Sequence, residues 1–160
     1  MKSLIVCVSI SQGNTRRVAD RMAEVLHADV VEPEAVDPEA LRDYDLVGFG
    51  SGIYFNRVHP RLWKLVRGLP RVDGVAAFTL FTSGGPELPR VGYSRPIRRQ
   101  LTSKGFRVLD SFSCRGLDTV GPLRLVGGFN KGRPNERDLD RAAGFAARLN
   151  EQVMRSRTAS

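Results

Sequence analysis

The sequence alternates short apolar runs with amphipathic helical patterns, and this alternation constrains the fold more than any other feature. The first apolar run covers residues 3–8, and apolar spacing predicts a helix over 14–26 directly after it. Further strands are predicted at 28–32, 45–50, 75–81 and 106–112, and further helices at 60–68, 94–104 and from Asn135 onward. Because crossovers between parallel strands are right-handed, this order predicts one parallel sheet with helices on both faces.

The length of 160 residues predicts a single domain with a sizeable core. The sequence contains no internal repeat and no low-complexity linker. Asn135 and Asp138 have near capping-box spacing at the start of the last helix. We therefore expect one domain over residues 1–154 and a flexible C-terminal tail over 155–160.

Composition excludes several classes of protein. No apolar run approaches the length of a membrane span, and the N-terminus lacks the apolar region of a signal peptide. The two cysteines, Cys7 and Cys114, form no C-x-x-C motif, so neither a disulfide framework nor a zinc site is predicted. We expect a cytoplasmic protein without a bound metal.

Charge is unevenly distributed along the chain. The net charge is +8, with nine acids and two bases in residues 20–45 but five bases and no acid in residues 57–71. Such asymmetry can steer an acidic partner, although an Arg-rich face that is merely solvated explains it equally well. The chain carries no nucleic-acid-binding motif, so we do not expect a nucleic-acid partner.

The stretch Ser9 to Thr15, S-I-S-Q-G-N-T, follows the first strand and precedes the first helix. Hydroxyl groups, backbone N–H groups and the helix N-terminus converge in such a loop and favour an anion. Neither G-x-x-x-x-G-K-[ST] nor G-x-G-x-x-G is present. The loop therefore predicts a site for one phosphate held largely by neutral donors. The alternative is that its hydroxyls only cap the helix.

Two further polar loops are predicted at the same end of the sheet. They follow the third and fourth predicted strands, at residues 50–60 and 82–89. In an open parallel sheet, ligands bind beyond the carboxyl ends of the strands, so these loops predict a binding crevice. The glycine-rich stretch from Ser113 to Pro134 is a further, longer loop, which could cover the site, form a docking surface or simply connect two elements.

Several other residues have structural interpretations. His59 precedes Pro60 and is expected to orient the start of a helix, while Trp63 has the helical spacing of core or rim packing. Cys7 is expected to be a buried apolar residue. Cys114 falls in the predicted loop after the fifth strand and could be accessible, but a cysteine without a clear base is weak evidence for a nucleophile.

Nearly the whole chain resembles the flavodoxins, in particular short-chain flavodoxin-domain proteins. Their phosphate loop has the form [ST]-x-[ST]-x-G-x-T, which Ser9, Ser11, Gly13 and Thr15 match, with Gln12 in place of a further hydroxyl. The resemblance implies a three-layer α/β/α fold whose five parallel strands have the order 2-1-3-4-5. It also implies non-covalent binding of FMN and a role in electron transfer.

The resemblance implies a set of FMN-binding residues from three loops. Tyr54 would stack on the flavin ring, and Gly50 and Gly52 would allow close backbone approach or positive φ. The flavin carries the chemistry, so no catalytic acid or base is expected. The predicted cofactor-binding residues are Ser9, Ser11, Gly13, Asn14, Thr15, Ser51, Gly52, Ile53, Tyr54, Thr82, Ser83, Gly84 and Gly85.

The basic charge departs from typical, acidic flavodoxins. Positive charge near the ring would stabilise the reduced, anionic flavin, so we expect a less reducing cofactor and a redox partner with an acidic docking surface. The resemblance favours an electron carrier over an enzyme with its own substrate. The alternative is an FMN-dependent oxidoreductase acting on a quinone or tetrapyrrole, of the protoporphyrinogen-dehydrogenase type.

Overall fold

The computed structural model of the protein describes residues 1–10, 13–85, 92–116 and 132–159. Strands and helices alternate, as the sequence pattern predicts. The strands are β1 (Ser3–Val8), β2 (Asp29–Val31), β3 (Leu46–Tyr54), β4 (Arg57–Val58), β5 (Ala76–Ser83) and β6 (Arg107–Arg115). The α-helices are α1 (Asn14–Leu26), α2 (Pro60–Gly68), α3 (Ser94–Ser103) and α4 (Glu136–Thr158). Two short 3-10 helices, Pro33–Ala35 and Glu39–Asp43, connect β2 to β3.

Five of these strands form a parallel sheet in the order β2-β1-β3-β5-β6. This is the predicted order 2-1-3-4-5 when only the parallel strands are counted, so the predicted fold class is confirmed. Leu4 pairs with Val47, and Val47 pairs in turn with Ala77, which fixes the register of the three central strands. The short strand β4 is additional and pairs antiparallel with the end of β3.

Each face of the sheet is covered by two helices, which gives the three-layer α/β/α architecture. The apolar stripe of every helix packs onto a strand face that is itself apolar, so both layers bury a continuous core. Helices α1 and α4 cover one face, whose buried side chains include Ile5, Met22, Phe78, Phe112 and Phe145. Helices α2 and α3 cover the other face, with Val6, Phe49, Leu62, Phe81 and Ile97.

The third strand is longer than its sequence pattern predicts. Ser51 to Tyr54 were expected in a loop, but β3 continues through them and turns back into β4. Phe55 and Asn56 form the turn with φ of 49° and 58°, the left-handed conformation that tight hairpins require at both central positions. The second predicted loop is therefore largely a β-hairpin.

The sixth strand also extends beyond its prediction, because residues 113–115 of the expected Ser113–Pro134 loop belong to β6. Cys114 is consequently a buried strand residue with 6% of its surface exposed, and the expectation that it could be accessible is wrong. Residues 117–131 of the same stretch lie outside the described residues.

The last helix begins as predicted, with a full capping box. The Asn135 side chain accepts a hydrogen bond from the Asp138 backbone N–H, and the Asp138 carboxylate accepts one from the Asn135 N–H. Helix α4 continues to Thr158, beyond the predicted domain limit at residue 154. The flexibility of residues 155–160 stays a prediction. Among the helices of the described residues, none has the length and apolar character needed to cross a membrane.

Candidate functional site

The three predicted site loops meet at one edge of the sheet. Strands β1, β3 and β5 are adjacent and parallel, so the segments at their carboxyl ends lie side by side. This is the position where open parallel sheets bind ligands. We call the segments at 9–15, 51–54 and 82–85 the first, second and third loops of the site.

The first loop is organised around the start of α1. The Ser9 hydroxyl accepts a hydrogen bond of 3.1 Å from the Arg16 backbone N–H, so Ser9 satisfies one of the donors that a helix start leaves unpaired. Gly13 precedes the helix with φ of 66°, a conformation that disfavours residues with a Cβ. A Cβ there would meet no atom of the described residues within 4 Å, so these residues leave space beside the loop. Ser11, also predicted as a site residue, lies outside the described residues.

The charge at this helix start favours an anion. The first turn of α1 contains no acidic residue but carries Arg16 and Arg17. Cations at a helix N-terminus oppose the helix dipole, and a bound anion would relieve that opposition. Arg16 is partly compensated through an ion pair of 2.7 Å with Asp20, one turn further along α1. The local electrostatics therefore suit a phosphate group.

Thr15 joins the first loop to the third. Its hydroxyl lies 2.7 Å from the hydroxyl of Thr82, and the two residues are 2% and 5% exposed. A buried hydroxyl pair of this kind holds both loops in fixed positions, since each partner would be costly to leave unpaired. A hydroxyl has one proton and two acceptor positions, so this pairing leaves hydrogen-bonding capacity for a further group.

The second loop uses its serine internally. The Ser51 hydroxyl donates to the Gly52 carbonyl at 2.5 Å and accepts a hydrogen bond of 3.0 Å from the His59 backbone N–H. Ser51 is fully buried. A contact between this segment and a ligand would therefore come from the backbone, or from Ile53 and Tyr54, which are partly exposed.

Tyr54 bridges the first and second loops. Its hydroxyl donates to the carbonyl of Ile10 at 3.4 Å, and its ring packs edge-on to the His59 ring with 5.8 Å between centroids. Burial raises the pKa of the Tyr54 hydroxyl, so this group stays protonated at neutral pH. An aromatic ring thus stands at the junction of the two loops, while its stacking on a flavin stays a prediction.

The glycines of β3 serve close packing. A Cβ on Gly50 would lie 2.9 Å from Cγ of Leu80, and one on Gly52 would lie 3.0 Å from the Tyr54 hydroxyl oxygen. Both glycines lie within the strand, and neither adopts the positive φ that the sequence allowed as an alternative. Both glycines are needed because neighbouring side chains occupy the space that a Cβ would take, while close approach of their backbone to a flavin stays a prediction.

The third loop is held by the end of β6. The Gly116 N–H donates to the Ser83 carbonyl at 3.0 Å, and Nη1 of Arg115 donates to the Gly84 carbonyl at 3.0 Å. The Ser83 hydroxyl turns back to the Gly85 carbonyl. Arg115 is not among the predicted site residues, because it lies in a stretch that was predicted to be a loop.

Gly116 also brings the end of β6 against the first loop. A Cβ on Gly116 would lie 2.9 Å from Nδ2 of Asn14, closer than such atoms approach in practice. Only glycine permits this approach without a shift of the Asn14 side chain. Segments after β1, β5 and β6 therefore meet around the start of α1, and Asn14 faces this junction.

Neither cysteine is a candidate nucleophile. Burial raises the pKa of the Cys7 thiol to about 12, and it raises that of Cys114 to about 12 as well. Both groups are therefore neutral thiols at physiological pH, whereas nucleophilic cysteines act as thiolates. Cys7 is buried as predicted, with 2% of its surface exposed.

Comparison with known proteins assigns the family. The sequence model of the family described as Flavodoxin domain matches residues 5–82, which span the first two loops and reach the third. Uncharacterized protein MJ0298 of Methanocaldococcus jannaschii is 40% identical over 146 residues, which cover 91% of this chain and 96% of that protein.

Solved structures agree in fold. A flavodoxin from the domain Archaea superposes with a TM-score of 0.69 at 17% identity, covering 96% of this chain and 99% of that one. Flavodoxin 2 from Bacillus cereus gives a TM-score of 0.69 at 20% identity, covering 95% and 99% of the two chains. At these identities the structural likeness shows the fold, and together with the matching family model it identifies the chain as a member of the flavodoxin family.

Proposed function

We propose that this protein binds FMN non-covalently at the three loops and acts as an electron carrier. The observation that supports the proposal most directly is the linkage of the loops around the start of α1. Thr15 joins the first loop to the third, and Tyr54 joins the first to the second. A ligand with a phosphate group and a planar ring would fit this arrangement, with the phosphate at the helix start and the ring between the loops.

The residues present fit the phosphate of FMN. The described residues leave space beside Gly13, and the first helical turn lacks acids. Ser9 and Thr15 supply hydroxyls next to backbone N–H groups. If Thr82 donates to Thr15, the Thr15 proton is available to a phosphate oxygen. Ser11, Gly13 and Asn14 would complete the phosphate loop through backbone or side-chain donors.

When bound, the flavin supplies the redox chemistry, and the protein supplies binding, orientation and electrostatics. Tyr54 would cover one face of the ring, and residues 82–85 would enclose the other side. The bonds from Arg115 and Gly116 to the third loop would keep that loop in place as the cofactor changes charge. Ser51 would orient the second loop through its internal hydrogen bonds.

The partner in electron transfer would carry an acidic docking surface. The net charge of +8 favours such a partner through long-range attraction, and it would also make the bound cofactor less reducing than in acidic flavodoxins. A redox titration that gives a potential as low as theirs would overturn this second expectation. The comparisons do not favour the alternative of an FMN-dependent oxidoreductase with its own substrate.

The visible spectrum of the purified protein, followed by titration of the apoprotein with FMN and riboflavin, tests the proposal. We expect stoichiometric quenching of FMN fluorescence and at least about a hundredfold weaker binding of riboflavin, because riboflavin lacks the charge-assisted hydrogen bonds of the phosphate. Equal affinities would contradict the role of the first loop. Absence of binding by FMN, FAD and riboflavin would overturn the proposal as a whole.

A further inference from the structure

A second concave site lies beside the turn of the β3–β4 hairpin. It has a volume of about 650 Å³ and is formed by the hairpin, α2 and the start of α3. We call it the α2–α3 groove. Its described lining includes the apolar residues Val58, Pro60, Trp63, Tyr93 and Pro96 and the cations Arg57, Lys64 and Arg67.

One face of helix α2 supplies four residues of this lining. Pro60, Trp63, Lys64 and Arg67 follow the spacing i, i+3, i+4 and i+7, which places them on a single helical stripe. The opposite stripe of the same helix is buried in the core through Leu62 and Val66. The groove is thus the outer face of an amphipathic helix, enclosed by the hairpin and by α3.

The cations of the groove form no direct ion pair among the described residues. Arg57, Lys64 and Arg67 form no ion pair there and are all exposed. The contrast with the same helix is direct, since Arg61 binds Glu32 at 2.7 Å and also Glu34 at 2.5 Å. The hydrogen bond from Arg61 is the main cause of the lowered pKa of Glu34, and the charge of Lys64 lowers it further. Lys64 is therefore partly compensated, and the positive charge of the groove lies mainly on Arg57 and Arg67.

Aromatic groups form the walls beneath these charges. The Arg67 guanidinium lies 5.1 Å from the centre of the Trp63 ring, within the range of a cation–π contact. Tyr93 is held from both ends, because its ring packs against Phe81 at 5.1 Å and its hydroxyl lies 3.0 Å from the Ser113 hydroxyl. The groove consequently combines a partly exposed indole, a fixed phenol ring and exposed cations.

We propose that the α2–α3 groove binds a small planar aromatic anion, such as an aromatic carboxylate. The volume falls within the range of about 300–1,000 Å³ that small-molecule sites occupy. The apolar and aromatic walls would contact the ring, while Arg57, Lys64 and Arg67 would meet the carboxylate, a geometry that guanidinium groups match well. None of the described lining residues of the groove belongs to the three loops, so its binding can be tested apart from that of FMN.

The single tryptophan of the sequence makes the test specific. Trp63 gives the one indole N–H signal in a ¹H–¹⁵N correlation spectrum, so any movement of that signal reports on the groove. The probe is 2-naphthoate, and its neutral isostere 2-naphthamide is the matched control. We expect saturable shifts of the Trp63 signal with naphthoate. The dissociation constant of the amide should be at least about fivefold higher, since the amide lacks the charge.

Variants locate the charge that is responsible. The double substitution Lys64→Gln/Arg67→Gln should weaken naphthoate binding about tenfold, as expected for the loss of two partly exposed cations. The matched double substitution Arg98→Gln/Arg99→Gln removes the same charge from exposed positions of α3 outside the groove, so it should change the affinity less than about twofold. All four side chains are exposed, so folding should be unaffected.

Several outcomes would overturn the proposal. They are the absence of a shift at millimolar naphthoate, equal affinity for acid and amide, or an equal effect of the two double substitutions. Saturable shifts with poly-glutamate but not with naphthoate would assign the groove to an acidic protein partner instead. Repeating the titration with saturating FMN separates the two sites, because displacement of naphthoate by FMN would place the probe in the three-loop site.

Discussion

The three-loop site and the α2–α3 groove share the β3–β4 hairpin but are built on different principles. The three-loop site relies on buried neutral groups, such as the Thr15–Thr82 pair, and on a left-handed Gly13. The groove relies on long exposed cations that stand on one face of a helix. The first site is specified by backbone geometry and the second by net charge, so the two should respond differently to mutation, salt and pH.

The substitution Thr15→Val tests the three-loop site and should have the largest effect on ligand affinity. Valine has nearly the shape of threonine but cannot hydrogen-bond to Thr82 or to a phosphate. Loss of a hydrogen bond to a charged group costs about 1.5–3 kcal/mol, so FMN affinity should fall about 10- to 100-fold, measured by fluorescence titration. Naphthoate binding in the groove should be unchanged.

The variant Thr15→Val/Thr82→Val separates binding from stability. The single substitution leaves the Thr82 hydroxyl buried and unpaired, which should lower the free energy of unfolding by about 1–3 kcal/mol. Removing both hydroxyls should recover part of that loss in urea unfolding while FMN affinity stays low. If the double variant regained FMN affinity, Thr15 would act through the stability of the fold alone.

Salt should separate the two sites next. Screening weakens interactions of exposed charges, whereas directed hydrogen bonds from buried and backbone donors are screened much less. Between 50 and 500 mM NaCl, naphthoate affinity should fall about tenfold and FMN affinity less than about threefold. Parallel titrations of the same preparation measure both. A steeper loss for FMN would mean that Arg16 and Arg17, rather than neutral donors, hold the phosphate.

Tyr54 should have an intermediate effect on the three-loop site. Stacking of an aromatic ring contributes about 0.5–1.5 kcal/mol beyond area burial, so Tyr54→Ala should weaken FMN binding about threefold to tenfold. Tyr54→Phe keeps the ring and removes only the 3.4 Å hydrogen bond to the Ile10 carbonyl, so its effect should stay below about threefold. Equal losses in both variants would show that the hydroxyl, not the ring, is the important part.

The sequence predicted the first loop of the three-loop site and its flanking elements well, and it predicted the β3–β4 hairpin poorly. Strand β1 and helix α1 have the predicted limits, because an apolar run, a glycine-containing loop and helical spacing follow one another in a local pattern. The hairpin was missed because Gly50 and Gly52 resemble a loop in sequence, whereas their role is to make room for Leu80 and Tyr54. Such tertiary contacts are not visible in a sequence window.

The α2–α3 groove could not be predicted from a local sequence window either. The stripe of Trp63, Lys64 and Arg67 can be identified from helical spacing, but it becomes one wall of a cavity only when Tyr93 and Pro96 pack opposite. These residues follow about thirty positions later in the chain, after an intervening strand. The turn at Phe55 and Asn56 was equally hidden, because phenylalanine gives no signal for positive φ.

His59 lies between the three-loop site and the α2–α3 groove. Its titration should make the stability of α2, which lines the groove, depend on pH, but not that of α1. Its neutral Nδ1 accepts a hydrogen bond of 3.1 Å from the Arg61 N–H and so caps α2, and its ring contacts Tyr54. Burial lowers the pKa of His59, the Arg61 charge lowers it further, and Glu34 and Glu32 partly oppose this. A lowered folded-state pKa means that the neutral form stabilises the fold above pH 6.5, and that this contribution is lost as pH falls below that value.

The substitution His59→Asn keeps an N-cap acceptor but removes the titration. From pH 7.5 to 5.5, the wild-type free energy of unfolding should therefore fall by up to about 1 kcal/mol more than that of the variant, the contribution of one helix cap. Amide exchange compared at one acidic pH should show faster opening of α2 in the wild type, with α1 equal in both proteins. Since Thr15 and Thr82 do not titrate in this range, a matching change in α1 would mean that the two regions are coupled through Tyr54 and do not respond independently.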